Sequence, residues 1–161
     1  MRAVKTVNSP LTETTLTSTW VLMTHANPVV PARSILIVDD DRDAREMLSE
    51  YLAFCGFVVH QAQDGQEAID VALREHPRIV LMDLMMPRMD GWEATRRLKT
   101  DERTRNISII AVSACTHPAD QTRARRVGCD DFVCKPVDLE VIPQLVQAFL
   151  ERQHVDGAEL I

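Results

Sequence analysis

The chain has 161 residues, 45% of them hydrophobic and 26% charged, which is the composition of one globular domain with an ordinary core. Its net charge is −6, and because residues 1–33 carry +2, residues 34–161 carry −8, a charge that disfavours direct binding to nucleic acid. No apolar run approaches the roughly 18 residues of a membrane span, so the sequence argues against membrane insertion and favours a cytoplasmic location.

Residues 1–33 differ from the rest of the chain in composition. They are rich in threonine, proline and asparagine, and their apolar residues show no sustained period. A segment of this kind buries too little apolar surface to offset the entropy lost on ordering, so we expect a disordered tail. The alternative that translation starts at Met23, which would remove most of this tail, stays open.

From residue 34 onward, short apolar runs alternate with segments of helical period. The runs predict five strands, at residues 35–38, 57–62, 79–82, 107–112 and 132–134. Apolar residues spaced three and four apart predict five helices, at residues 44–55, 66–75, 92–100, 119–127 and from 139 onward. This alternation predicts an α/β fold with a doubly wound parallel sheet. We expect the domain to span residues 34–153, followed by a short tail at 154–161.

Capping residues and breakers mark the helix ends. Asp41 or Asp40 is placed to cap the first helix and Gly56 to end it. Asp138 is placed to cap the last helix, in which Pro143 then falls near the fifth position. Because proline lacks an N–H and its ring clashes with the preceding turn, we expect Pro143 to loosen or bend the first turn of that helix.

The four cysteines show neither a CxxC pair nor clustering with histidine. They are Cys55, Cys115, Cys129 and Cys134. Free cysteine is among the most buried residue types, so we predict that all four are small core residues of a protein in a reducing compartment.

Polar side chains follow four of the five predicted strands. They are Asp39 and Asp40, Asp83, Ser113 and Lys135. Because the carboxyl ends of parallel strands meet at one edge of a sheet, we expect these residues to lie in one crevice. Asp83 considered alone is equally well explained as an N-cap or turn aspartate.

The carboxylates of this set repel one another, and together with Lys135 and Ser113 they suit a particular reaction. At about 4 Å and an effective dielectric constant near 20, each carboxylate pair costs about 4 kcal/mol. Lys135 offsets one charge, and since no histidine or cysteine is in position, Mg²⁺ rather than Zn²⁺ is expected to offset the rest. A carboxylate beside Mg²⁺, a lysine and a hydroxyl can accept a phosphoryl group. Lys135 would neutralise its developing charge while Ser113 donates a hydrogen bond.

Four motifs in this order resemble the receiver domain of two-component response regulators. They are ILIVDDD at 35–41, LMDLMMPRMDG at 81–91, VSA at 112–114 and CKP at 134–136. The resemblance covers residues 34–153. It implies a flavodoxin-like (βα)5 three-layer sandwich whose parallel five-stranded sheet has the order 2-1-3-4-5.

The resemblance also implies roles around the carboxylates. Asp83 would be the phospho-acceptor and a metal ligand, Asp40 a direct Mg²⁺ ligand, and Asp39 mainly a water-mediated one. Met85 would bind the metal through its backbone carbonyl. A cis peptide bond is expected before Pro136.

Further roles concern the phosphoryl group itself. Ser113 would follow it and Lys135 would pair with it, while Leu84 and Ala114 would contact it through their backbones. Phe132 occupies the position of the aromatic switch residue.

The expected function is a stand-alone switch. It would take a phosphoryl group from a histidine kinase or histidine phosphotransfer protein and change its affinity for an unknown downstream protein. Eight residues follow Gln153, so no output domain is expected, and the only catalysis expected is of its own phosphorylation and dephosphorylation.

Two alternatives from other classes remain. A haloacid-dehalogenase-like phosphatase or phosphotransferase would place a general acid/base two residues after the nucleophile, where this chain has Met85. An unphosphorylated binding module with a degenerate site is disfavoured because every site residue is present.

Overall fold

The structure, a computed structural model, describes residues 33–114 and 119–158, with side chains up to residue 152. The strands are β1 (Ser34–Val38), β2 (Val58–Ala62), β3 (Ile79–Met82), β4 (Ser108–Ala114) and β5 (Asp131–Lys135). The helices are α1 (Arg42–Phe54), α2 (Gly65–Glu75), α3 (Gly91–Thr100), α4 (Ala119–Val127) and α5 (Val141–Ala158). The predicted tail at residues 1–33 lies outside the described residues except for Arg33. The predicted domain boundaries stay predictions.

The five strands form one parallel sheet in the order β2-β1-β3-β4-β5. This order confirms the flavodoxin-like topology. The register pairs Val38 of β1 with Met82 of β3, so the residues that follow them, Asp39 and Asp83, come side by side. On the other side of the sheet, Ser113 of β4 pairs with Cys134 of β5.

Helices cover both faces of the sheet, which makes three layers. Side chains of β1 alternate between the two cores: Leu36 belongs to the one under α2, α3 and α4, and Ile37 to the one under α1 and α5. A parallel sheet covered on both faces needs strands that are apolar throughout. The continuous apolar runs of the sequence have this cause, and β1 and β3 are buried along their whole length.

The first helix has the predicted ends. Asp41 caps α1, with its Oδ1 accepting from the backbone N–H of Asp43 at 2.9 Å and of Ala44 at 3.1 Å. Gly56 follows the helix with φ of +86°, the left-handed conformation that glycine adopts without steric cost.

The predicted start of the last helix is wrong. Asp138 makes a turn, accepting from the N–H groups of Glu140 and Val141, and α5 begins only at Val141. Pro143 is therefore the third residue of the helix, where no N–H has an intrahelical partner. Pro143 therefore fits into the first turn of α5 without removing a helical hydrogen bond. The reason for expecting this turn to be loosened does not apply at this position. The helix continues to Ala158.

The cysteines do not all follow the prediction. Cys129 is buried and Cys55 is partly buried, and both are free. Burial raises the pKa of Cys129 to about 11, so this thiol is protonated and unreactive at neutral pH. For Cys134 the prediction of a core thiol is wrong, because its side chain is exposed on the edge strand β5 and is disulfide-bonded. Cys115 lies outside the described residues.

Across residues 33–114 and 119–158, no helix combines the length and the apolar character that crossing a lipid bilayer requires.

The packing of α1 makes a prediction about stability. Leu52 is fully buried against the sheet, whereas Phe54, two residues later, is 89% exposed. We expect Leu52→Ala to lower the free energy of unfolding by about 3 kcal/mol, because it leaves a cavity in the core. Phe54→Ala, the matched control, should change it by less than about 0.5 kcal/mol. Urea denaturation measures both, and equal losses would contradict this packing.

Candidate functional site

Three carboxylates lie together at the carboxyl edge of the sheet. Asp39 and Asp40 follow β1, and Asp83 follows β3. One carboxylate oxygen from each lies within 4.8 Å of the others. Asp39 and Asp83 are buried, and Asp40 is exposed at the mouth of the cluster. The adjacency of β1 and β3 in the sheet therefore produces the predicted acidic cluster.

Lys135 connects the two buried carboxylates. Its Nζ donates to Asp39 Oδ2 at 2.8 Å and to Asp83 Oδ2 at 2.7 Å. Burial lowers the pKa of this ammonium, but the hydrogen bonds and charges of the two carboxylates outweigh that effect and leave the pKa above its ordinary value. Because the pKa of this lysine is raised, the stabilisation that its charge provides is fully present below about pH 10.4 and is lost as the pH rises through the raised pKa. Lys135 is thus charged at neutral pH.

The second oxygen of Asp83 is also held. Its Oδ1 accepts from the Ser113 hydroxyl at 3.1 Å and from the backbone N–H of Met85 at 2.9 Å. The predicted gathering of Asp39, Asp83, Ser113 and Lys135 is confirmed. Sequence analysis missed the hydrogen bond from the Met85 N–H to Asp83. A pattern of residue types does not report the direction of a backbone N–H in a loop.

Asp39 has two contacts that shape its side of the site. Its Oδ1 accepts from the backbone N–H of Asp41 at 2.9 Å, and its backbone carbonyl accepts from Nη1 of Arg45 at 2.7 Å. Arg45 lies on the first turn of α1, one helical turn after the acidic triplet. Sequence analysis missed this arginine too.

The donor set of the cluster suits a hard divalent cation. All three side chains offer carboxylate oxygens, and no histidine nitrogen or cysteine sulfur takes part. Oxygen ligands with room for water are what Mg²⁺ prefers, while structural Zn²⁺ favours nitrogen and sulfur. The cluster is therefore able to hold Mg²⁺.

Glycine at the start of α3 sets the distance of that helix from Asp83. A Cβ on Gly91 would lie 2.0 Å from the carbonyl oxygen of Asp83, and the Gly91 N–H donates to the Leu84 carbonyl at 3.2 Å. Any larger residue would push the end of β3 away. Asp90 caps the same helix through the N–H of Glu93.

A cavity of about 190 Å³ opens beside the carboxylates, between the sheet edge, α3 and α4. Its lining comprises Leu84, Met85, Trp92, Ser113, Ala114, Asp120, Arg123 and Phe132. The predicted switch residue Phe132 is partly buried and packs against the core. Arg123 lies over the ring of Trp92, 4.2 Å from its centroid, and so joins α4 to α3. The predicted backbone roles of Leu84, Ala114 and Met85 stay predictions, and the cis peptide bond before Pro136 is present.

Comparison with known proteins gives consistent matches. The family model described as response regulator receiver domain matches residues 35–147. The polar-differentiation response regulator DivK of Brucella ovis is 31% identical over 118 residues, which are 73% of this chain and 96% of DivK. Response regulator MprA of Mycolicibacterium vanbaalenii is 38% identical over 127 residues, 79% of this chain and 54% of MprA. The structure of Vibrio cholerae chemotaxis protein CheY4 is 27% identical with a TM-score of 0.68, covering 72% of this chain and 97% of that one.

The crowding of three acids makes a prediction that needs no ligand. Asp40→Asn should raise the free energy of unfolding by about 1 kcal/mol in low salt without divalent cations, because it removes the repulsion between this exposed carboxylate and the two buried ones. Asp70→Asn, which removes an exposed carboxylate on α2 outside the cluster, should have a smaller effect. Chemical denaturation compares the two, and a loss of stability in Asp40→Asn would show that Asp40 has a structural role instead.

Proposed function

Since this chain belongs to the response regulator receiver domain family, we propose that it is a phosphorylation switch that accepts a phosphoryl group on Asp83. The donor would be a histidine kinase or a histidine phosphotransfer protein. The observation that carries the proposal is the state of the Asp83 carboxylate, which is buried, ionically paired with Lys135 and hydrogen-bonded to Ser113.

The proposed reaction is a direct phosphoryl transfer. One carboxylate oxygen of Asp83 bonds to phosphorus while the bond from phosphorus to the donor's imidazole nitrogen breaks, and the imidazole keeps the electron pair. An ionised carboxylate needs no general base. Mg²⁺ held by Asp39, Asp40, Asp83 and the Met85 carbonyl would supply positive charge at the phosphoryl oxygens.

Two side chains are placed to follow the transferred group. Lys135 already donates to Asp83 Oδ2, so a short movement of its ammonium would pair it with a phosphoryl oxygen. Ser113 donates to Asp83 Oδ1 and would turn its hydroxyl to the phosphoryl group in the same way. The N–H groups of Leu84 and Ala114, both beside the cavity, would contact the remaining oxygens.

The output of this switch would leave through the cavity. Movement of Ser113 toward the phosphoryl group would make room for the ring of Phe132 to turn inward, which is a change between two packed states. The surface remodelled would be the face formed by α4, β5 and the start of α5, here called the α4–β5–α5 face. Arg125 and Arg126 are exposed on it, which favours an acidic surface on the downstream partner.

The phosphatase alternative lacks its acid. Such an enzyme needs a general acid/base two residues after the nucleophile, and here Met85 stands at that position with its side chain 64% exposed. We therefore propose a switch whose catalysis is limited to its own phosphorylation and dephosphorylation. We also propose that residues 34–153 form the receiver and that it acts in the cytoplasm.

The acceptor assignment is tested by intact-mass measurement. With Mg²⁺ and acetyl phosphate, the wild-type chain should gain one phosphoryl group, and Asp83→Ala should gain none because the nucleophile is absent. Asp70→Ala, a matched aspartate on α2, should behave as the wild type. Retention of the added mass in Asp83→Ala would reject the assignment.

The route of the signal is tested by amide chemical shifts with beryllofluoride, a mimic of the phosphoryl group. Shifts are expected both at the site and on the α4–β5–α5 face, and none in Asp83→Ala. We expect the phosphorylated form to bind its partner by about 1 to 3 kcal/mol more tightly, the usual size of such coupling. Shift changes confined to the surroundings of Asp83 would contradict the proposed route.

A further inference from the structure

The loop that follows Asp83 is attached to α2, a helix that contributes no residue to the acidic cluster. The loop comprises residues 83–90 and is called here the β3–α3 loop. The N–H of Gly65, the first residue of α2, donates to the carbonyl of Met89 at 3.1 Å. A Cβ on Gly65 would lie 2.7 Å from that carbonyl oxygen and 2.8 Å from Met89 Cγ. The loop and the helix are thus so close that only glycine fits at position 65.

An ion pair joins the same two segments. Nη2 of Arg88 lies 3.0 Å from Oδ2 of Asp64. The other oxygen of Asp64 accepts from the N–H groups of Gln66 and Glu67 at 3.0 and 2.9 Å, which caps α2. Asp64 is only 8% exposed. The two oxygens of Asp64 therefore have different partners, since one caps α2 and the other pairs with Arg88 of the loop.

The backbone at Arg88 has a conformation that arginine rarely adopts. Arg88 has φ of +67°, in the left-handed region that glycine and asparagine occupy at much lower cost than other residues. Surrounding contacts maintain such a conformation. The ion pair with Asp64, and the Met89 carbonyl bonded to Gly65 next to it, are two of those contacts.

We infer that Asp64 and Arg88 are positioning residues that hold the β3–α3 loop in the conformation required for metal binding at Asp83. The loop starts at Asp83 and includes Met85, whose N–H bonds Asp83 Oδ1 and whose carbonyl is the proposed metal ligand. The clamp, defined as Asp64, Gly65, Arg88 and Met89, fixes the far end of this short loop. The inference rests on the proposed function, because it concerns the Mg²⁺ of that site.

An exposed ion pair by itself contributes little to stability, and the Arg88 side chain is 69% exposed. If this pair is an ordinary surface ion pair, its removal will change neither the Mg²⁺ affinity nor the order of the loop. When a residue orients a metal ligand without binding the metal itself, its replacement changes the affinity for the metal. Mg²⁺ affinity and loop order are the two measurements that separate the alternatives.

The variants follow from the geometry. Arg88→Asn removes the charge and still tolerates a left-handed backbone, and Asp64→Asn keeps a good N-cap for α2. Arg88→Lys restores the charge. Arg97→Ala is the matched control, because Arg97 is a half-exposed arginine paired with Glu93 on α3 and lies at the same surface depression as Arg88.

Calorimetric titration of the full chain with Mg²⁺ gives the first readout. We expect Arg88→Asn and Asp64→Asn to weaken Mg²⁺ binding by about threefold to tenfold, and Arg88→Lys to recover most of it. The double variant should be no weaker than either single variant, since both remove the same interaction. Arg97→Ala should bind Mg²⁺ as the wild type does.

Amide hydrogen exchange without metal gives the second readout. In Arg88→Asn, the N–H groups of Gly65 and Met85 should exchange faster, while those of β1 stay protected. Wild-type Mg²⁺ affinity and exchange in the clamp variants would overturn the inference and leave the proposed function standing. A wild-type chain that fails to bind Mg²⁺ would overturn both.

Discussion

Two carboxylates buried side by side are the constraint around which this structure is arranged. Asp39 and Asp83 meet because β1 and β3 are neighbours in the sheet. Two like charges at this depth repel each other strongly unless a cation pairs with both. Lys135 does so from β5, on the far side of β4, with Nζ within 2.8 Å of each carboxylate. The strand order and the length of the lysine side chain together allow one ammonium to contact both carboxylates.

The charge of Lys135 does not change with pH in the neutral range. The pKa of Lys135 is raised by its two partners against the lowering effect of burial, so the ammonium stays charged. Under the proposed function, a new anion or a new cation at the site would change the position of this ammonium. A phosphoryl group on Asp83 together with Mg²⁺ would bring one of each, and Lys135 and Ser113 are already bonded to the oxygens that would be altered.

The sequence predicted the parts of the molecule that depend on period and on strand ends. Doubly covered strands must be apolar throughout, so their ends are sharp, and the residues after them were placed correctly. Prediction failed where contacts join distant loops or where local signals conflict. Asp138 has the type of a helix cap but makes a turn, Cys134 is on an edge strand, and the pair of Asp64 with Arg88 joins segments 24 residues apart, which no local pattern reports.

The two sides of the site differ in how closely they are packed, and under the proposed function this difference would give the switch a direction. On one side, two helices begin with a glycine that lies against the backbone of the β3–α3 loop. A Cβ on Gly65 of α2 would collide with the backbone of Met89, and a Cβ on Gly91 of α3 would collide with the backbone of Asp83. On the other side, Ser113 and Phe132 border a cavity of about 190 Å³. Packed interiors change between discrete arrangements where space permits. Under the proposed function, a charge change at Asp83 would therefore meet close packing toward α2 and would be relieved toward α4 and β5.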